Sequence, residues 1–267
     1  MSVRIGHASI DENGKATGGS AGDQTGKEVV IRNWYNKPWN VALRPKSAAV
    51  AELSARACEA ACANPNVGYD QGGRNTLYAN AKAADFDLSA VGACECDCSS
   101  LMHVCAIAGG ANLTYGSNGY TTRTMVKAFV ASGDYEKLTD SKYLDSDKHL
   151  KRGDILVKEG SHTVMVLDNG SGVEVVEPPV VNMPLEDGIA IHYSVRLPML
   201  QKGMTSDTVK AMQILIAAHG VYVPLFGKFD DRTEAAVLEF QKAFNLKTTG
   251  KCDPDTWSAL LGLTGAG

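Results

Sequence analysis

The sequence predicts an α+β unit followed by a small three-helix module. Three observations carry this. Apolar residues recur at helical spacing in two stretches, near 47–63 and 98–108. Short β-branched segments bounded by turns follow at 154–157, 162–167 and 173–177. From about residue 200 the pattern returns to amphipathic helices. Helices first and an antiparallel sheet second is an α+β layout.

The elements follow in chain order. Residues 1–45 are rich in Gly, Asn and Asp, and Gly18 to Gly26 reads as an ordered loop. Glu28 to Arg32 is a candidate strand. Pro45 and Ser47 open an Ala-rich helix in which Val50, Leu53 and Ala57 share a face, and Asn64-Pro65 stops it. Residues 74–93 are polar with scattered apolar positions and carry no clear period. Cys98-Ser99-Ser100 opens a helix closed by Gly109-Gly110. Thr122 to Ala131 is a further helix. Asp154 to Val157, His162 to Leu167 and Val173 to Glu177 are the strands, with Asp168 to Gly172 as a hairpin connection between the last two. Asp207 to His219 and Asp230 to Phe244 are amphipathic helices. Asp253-Pro254 starts a third with an acidic cap and proline at the first helical position. The segment from Gly227 to Thr233 is echoed by Gly250 to Thr256.

Composition narrows the function classes. Of 267 residues, 44% are hydrophobic and 21% charged, an ordinary globular balance. With 26 basic and 30 acidic residues and no dense Lys/Arg run, nucleic acid is a poor partner. No basic and apolar leader precedes the chain and no stretch is long enough for a membrane span, so neither a signal peptide nor membrane insertion is expected. Seven cysteines, an odd number without an export signal, argue against a disulfide framework. The spacing Cys94-x-Cys96-x-Cys98 does not match the usual zinc knuckle. No metal and no cofactor are expected.

One cysteine is placed for chemistry. A thiol becomes a strong nucleophile when it is deprotonated and accessible. A helix start offers partial positive charge and free N–H groups, which also suit a developing oxyanion. Cys98 follows the polar run Cys94 to Asp97 and precedes an apolar helix. His162, at a strand start, is the candidate base. On the next strand Val173, Val175 and Glu177 share one face, which makes Glu177 the candidate to orient the imidazole; Asp168 and Glu174 compete for that role.

Asp97-Cys98-Ser99-Ser100-Leu101 resembles the Asp-Cys-Ser-Gly-Leu nucleophile motif of the NlpC/P60 cysteine peptidases, which are papain-like and related to CHAP enzymes. Gly68 to Gly73 is similar to that family's Tyr-x-x-Gly-Gly segment, Lys151 to Val157 to its Pro-Gly-Asp-Leu-Val strand, and His162 to Leu167 to its catalytic histidine strand. The resemblance covers roughly 66–178. It implies a papain-like catalytic domain with Cys98 as nucleophile and His162 as base. Tyr69 would line the site, and Asp97 and Ser99 would help to bind the peptide end of the substrate. Ser100 replaces the motif's glycine, and the stretch between Tyr69 and Cys98 is long. The family's third residue is often histidine; a glutamate such as Glu177 is closer to the CHAP enzymes. Gly6 to Ser9 and Gly22 to Gly26 resemble the opening of endolysins of phages and prophages of Gram-positive gut bacteria. A cap on the fold and a substrate-facing role both stay open for them.

Residues 200–264 resemble the type 1 peptidoglycan-binding domain, through Leu200 to Gly203, Val209 to Gln213, Gly227 to Phe229, Thr233 to Val237, Phe240-Gln241 and Asp255 to Leu260. The two resemblances divide the chain into a peptidase domain at 1–195 and a binding domain at 200–264. They imply a monomeric endolysin whose partner is bacterial peptidoglycan. It would be made in a host cytoplasm and act on the wall after holin-type release or lysis. The leading reaction is a D,L-endopeptidase cut in the stem peptide, after D-isoglutamate. An amidase or cross-bridge cut of CHAP type is the alternative, and a non-catalytic wall-binding protein is the alternative from another class.

Overall fold

The computed structural model describes residues 2–173 and 197–262. Contacts between Cα atoms group the chain into two compact units, one built on Met1–Gly172 and one on the C-terminal helices. Among the described residues no helix is long and apolar enough to cross a membrane.

The first unit is built on a six-stranded sheet in which every neighbouring pair is antiparallel. Its strands are β1 (Arg4–Ala8), β2 (Val29–Asn33), β3 (Val41–Pro45), β6 (Tyr135–Leu138), β7 (Ile155–Lys158) and β8 (His162–Val166), in the order β2-β1-β8-β7-β3-β6. Between β3 and β6 the chain forms α1 (Ala48–Ala63), α2 (Thr76–Ala83), α3 (Cys98–Ala108) and α4 (Met125–Ala131). A short parallel pair, β4 (Val67–Tyr69) with β5 (Cys94–Cys96), leads into α3. A single turn, α5 (Ser141–Leu144), follows β6.

Strand alternation splits the sheet between two cores. Leu43, Ile155, Val157 and Met165 join Ala57, Leu101 and Val104 of the helices. Ile5, Ala42, Leu156, Val164 and Val166 face the other way and pack with Trp39 and Leu150. Gly6 is required at β1, because a Cβ there would sit 2.5 Å from the Cys58 sulfur of α1.

The sheet does not simply follow the helices. Three of its six strands precede α1, and the sequence pattern gives only one of them. β1 lacks a clean apolar alternation because Gly6 and His7 interrupt it. The expected hairpin after β8 also needs correction. β8 is flanked by β1 on one side and β7 on the other, so its neighbour is the first strand of the chain. The predicted strand 173–177 lies, beyond Val173, outside the described residues.

The second unit contains α6 (Asp207–Ala218), α7 (Asp231–Ala243) and α8 (Pro254–Leu260), capped by Ser206, Asp230 and Asp253. The sequence echo becomes a repeated hydrogen-bond motif. The Gln213 amide donates to the Lys228 carbonyl and the Thr233 hydroxyl, and its oxygen accepts from the Gly227 N–H, each at 2.9 Å. Gln241 does the same one repeat later, donating to Lys251 and Thr256 and accepting from Thr249 and Gly250. Both glutamines are fully buried and tie a turn to the helix that follows it.

Candidate active site

The site begins at the junction of β5 and α3. Asp97 is extended and caps the helix: its carboxylate accepts from the Ser100 N–H at 2.6 Å, and the Ser100 hydroxyl accepts from the Asp97 N–H at 2.8 Å. This reciprocal cap explains Ser100, since a glycine could not return the second bond. Cys98 therefore stands at the first helical position, as expected from sequence.

Asp97 is also ion-paired. Arg74 donates through Nε to its carboxylate at 2.6 Å and through Nη2 to the Ser99 hydroxyl at 3.0 Å, and it reaches the carbonyls of Asn118 and Tyr120. The arginine, the aspartate and the serine are all buried. A buried carboxylate needs such a partner. The sequence reading missed Arg74, which lies in the stretch between Tyr69 and Cys98 that it left unassigned.

β8 brings the imidazole. The Cys98 sulfur lies beside the His162–Thr163 segment, where the backbone N–H of Thr163 and that of Ser99 favour its thiolate. Burial outweighs them and pushes the thiol up to about 12, with the Asp97 charge adding to it. Burial also lowers His162 to about 3 and His7 to about 4. The resting site is thus a neutral thiol beside neutral imidazoles. Among the described residues the hydrogen-bond partner of His162 is another ring: its Nε2 lies 3.2 Å from Nδ1 of His7, with ring centroids 5.4 Å apart.

His7 is the residue that sequence reasoning did not assign. It sits on β1, which takes the place beside β8 that the strand of Glu177 was expected to hold. Glu177 itself lies outside the described residues, as does Glu174. Asp168, the other competitor, is committed to Arg4, which binds it at 2.9 Å through Nε and 2.7 Å through Nη2. A signal for His7 was present: a titratable residue among the apolar and glycine positions of a short segment, next to Gly6.

An aromatic wall flanks the two histidines. Trp39 stacks on His162 at 6.3 Å and 26°, and Tyr35 lies 5.9 Å from Trp39 and 6.3 Å from His7. Tyr69 is on β4, its phenol accepting from the Gln71 amide at 3.0 Å. Burial pushes it up to about 12, and the nearby Cys98 acts in the same direction.

The N-terminal loop leans on these elements. Asp23 gathers the N–H groups of Thr25, Gly26 and Lys27 on one oxygen and those of Glu28 and Val29 on the other. Gly22 packs against Gly68 so closely that the β4 position must be glycine. Glu28 accepts from the Tyr69 N–H at 3.0 Å, so the loop braces the strand that carries Tyr69. This gives Gly22 to Gly26 a structural role.

Residues 5–173, which contain Cys98, His162, His7, Tyr69, Arg74, Asp97 and Ser99, match the model of the endolysin-like domain. The chain belongs to the endolysin-like domain family. A second model, of a peptidoglycan binding domain, matches residues 205–260. No curated protein matches the chain. Among solved structures, a peptidoglycan-binding protein from Clostridioides difficile, in complex with glutamine hydroxamate, is 35% identical over 24% of this chain, with a TM-score of 0.23. The match spans 40% of that protein. The chain thus joins an endolysin-like domain to a peptidoglycan-binding domain.

Proposed function

We propose that the endolysin-like unit is a papain-like cysteine peptidase of the NlpC/P60 kind, cutting the peptidoglycan stem peptide after D-isoglutamate. The observation that carries this is the pairing of His7 with His162 beside the helix that begins at Cys98. In this reading Cys98 attacks the scissile carbonyl and His162 takes the thiol proton and delivers it to the leaving amine. His7 occupies one ring nitrogen of His162, which leaves the other, Nδ1, to face sulfur. The N–H groups at the start of α3 are the donors suited to the oxyanion. A histidine in the third position favours the NlpC/P60 reading over the CHAP alternative, for which a glutamate would be the closer match. Asp97 and Ser99, held by Arg74, would form the floor under the substrate's peptide end. The C-terminal module would keep the enzyme on an insoluble substrate and raise its effective concentration there. A phage origin and release through a holin-type pore belong to the same proposal.

The test is digestion of purified cell walls followed by mass spectrometry of the soluble fragments. Endopeptidase action gives fragments with a new free amine on the diamino acid that follows D-isoglutamate. Free lactyl-linked glycan would instead identify an amidase. Clearing that persists in the Cys98→Ala variant would remove the cysteine mechanism altogether.

A further inference from the structure

Two cations stand beside the histidine pair without an evident role. The Arg32 guanidinium lies 4.8 Å from the centre of the Tyr35 ring, and that ring is 6.3 Å from His7. Arg32 is therefore one aromatic ring removed from the site. Its place on β2 is fixed by pairing with β1, Arg32 opposite Ile5 and Val30 opposite His7, so Arg32 and His7 point to the same side of the sheet. Lys37, two residues beyond Tyr35, reaches the same region: both cations act electrostatically on His7 and on His162. Neither forms an ion pair among the described residues, whereas Arg4, Arg44, Arg56, Arg74 and Arg152 all do. Arg32 is exposed to solvent.

Two positive charges near a general base, without an ion-pair partner among the described residues, oppose the reaction, because the base must become cationic when it takes the thiol proton. The arrangement makes sense if an anion arrives with the substrate. A stem peptide linked through the side-chain carboxyl of D-glutamate keeps its α-carboxylate free, next to the bond proposed to break. A guanidinium resting on a ring, with its N–H edge open, is suited to a carboxylate.

We propose that Arg32 and Lys37 form a carboxylate subsite that selects stem peptides with a free carboxylate beside the scissile bond. This rests on the endopeptidase reading. Amidating the carboxylate removes the charge that the subsite reads. The same chemistry could come from the α-carboxylate of D-isoglutamate or from a carboxylate on the leaving side.

The experiment uses the full chain and three synthetic stem peptides: the free acid, the form amidated at the α-carboxyl of D-isoglutamate, and the form amidated on the leaving side. The expected result is a preference of about tenfold or more in kcat/KM for the free acid over one of the amides, the amide that loses showing which carboxylate is bound. In the Arg32→Ala/Lys37→Ala variant that preference should collapse to within about twofold, while Arg32→Lys should keep part of it. Raising the salt should erode the preference of the unaltered protein. Equal rates on all three peptides, or a preference that survives in a double variant with an unchanged melting temperature, would overturn the subsite while leaving the endopeptidase intact. Failure to cut any of the three would overturn the endopeptidase reading and the subsite with it.

Discussion

Nδ1 of His7 lies 3.2 Å from Nε2 of His162, across two neighbouring strands that are 155 residues apart in sequence. This contact gives the His162 ring a partner on the first strand of the chain, while Glu177, the expected orienter, lies outside the described residues. It makes β1 a part of the site.

His7 is then a positioning residue, and its loss should be felt in turnover. His162→Ala should lower kcat about 10²- to 10⁴-fold, the range for a general base. His7→Ala should cost less, with KM little changed, and His7→Asn should recover part of the loss because an amide oxygen can accept from the ring. Steady-state kinetics on a soluble stem peptide measures this. If His7→Ala leaves kcat unaltered, the pairing has no catalytic meaning.

Buried histidines also set an acid limit. Burial holds His7 and His103 at about 4 and His162 at about 3, against an ordinary value of about 6.5. The folded values are lowered, so the unfolded chain binds more protons in this range. The stability due to these neutral rings is present above about pH 6.5 and is lost as pH falls through the folded values. Two results follow. The acid limb of kcat/KM should lie well below pH 6.5, and melting temperature should fall steadily from about pH 6.5 to about 4. A conventional limb near pH 6.5 would show that the imidazoles are solvated in the working enzyme.

Glu95 gives the opposite slope. Burial, and then the charges of Glu28, Asp70 and Glu12, push it up to about 8. Neither of its oxygens has a hydrogen-bond partner among the described residues, and the nearby Gly22 N–H donates to the Cys94 carbonyl. A raised carboxyl contributes stability that is whole below about pH 4.5 and is lost as pH rises through about 8. Glu95→Gln should therefore stabilise the protein by about 1–2 kcal/mol at alkaline pH and be near neutral at about pH 5. Denaturant titration at the two pH values checks it.

In the C-terminal unit, Gln241 should be the more revealing of the two equivalent glutamines. Gln241→Leu keeps the volume and strands the Gly250 N–H, whereas the Thr249 N–H keeps the Lys247 carbonyl and the Lys251 carbonyl keeps the Thr249 and Thr256 hydroxyls. The cost should be about 1–3 kcal/mol in that unit. Wall sedimentation at increasing temperature should lose binding early, while hydrolysis of a soluble stem peptide persists. Loss of both together would tie the two units into a single cooperative fold.

Much of this was legible in the sequence, for definite reasons. Asp97 and Cys98 announce a helix start because capping is local chemistry between residues three apart. The three C-terminal helices announce themselves through caps and a 3.6-residue period. His162 is visible as the start of a β-branched strand. His7 and Arg74 were not assigned, because their partners, His162 and Asp97, are fixed by sheet order and by a loop crossing. Neither relationship has a sequence period. β1 and β3 failed for a related reason: each strand is five residues long and its register is set by neighbours distant in sequence.

The placement of β1 between β2 and β8 also bears on synthesis. A ribosome delivers the strand with His7 first, and His162 follows 155 residues later. Until the late strand docks, β1 has only β2 to pair with, and a lone hairpin is marginal in water. Closing so long a loop is slow, which places the assembly of the histidine pair late in folding. A nascent or truncated chain would carry the thiol without its base, and hydrolytic competence would arrive only with the finished sheet.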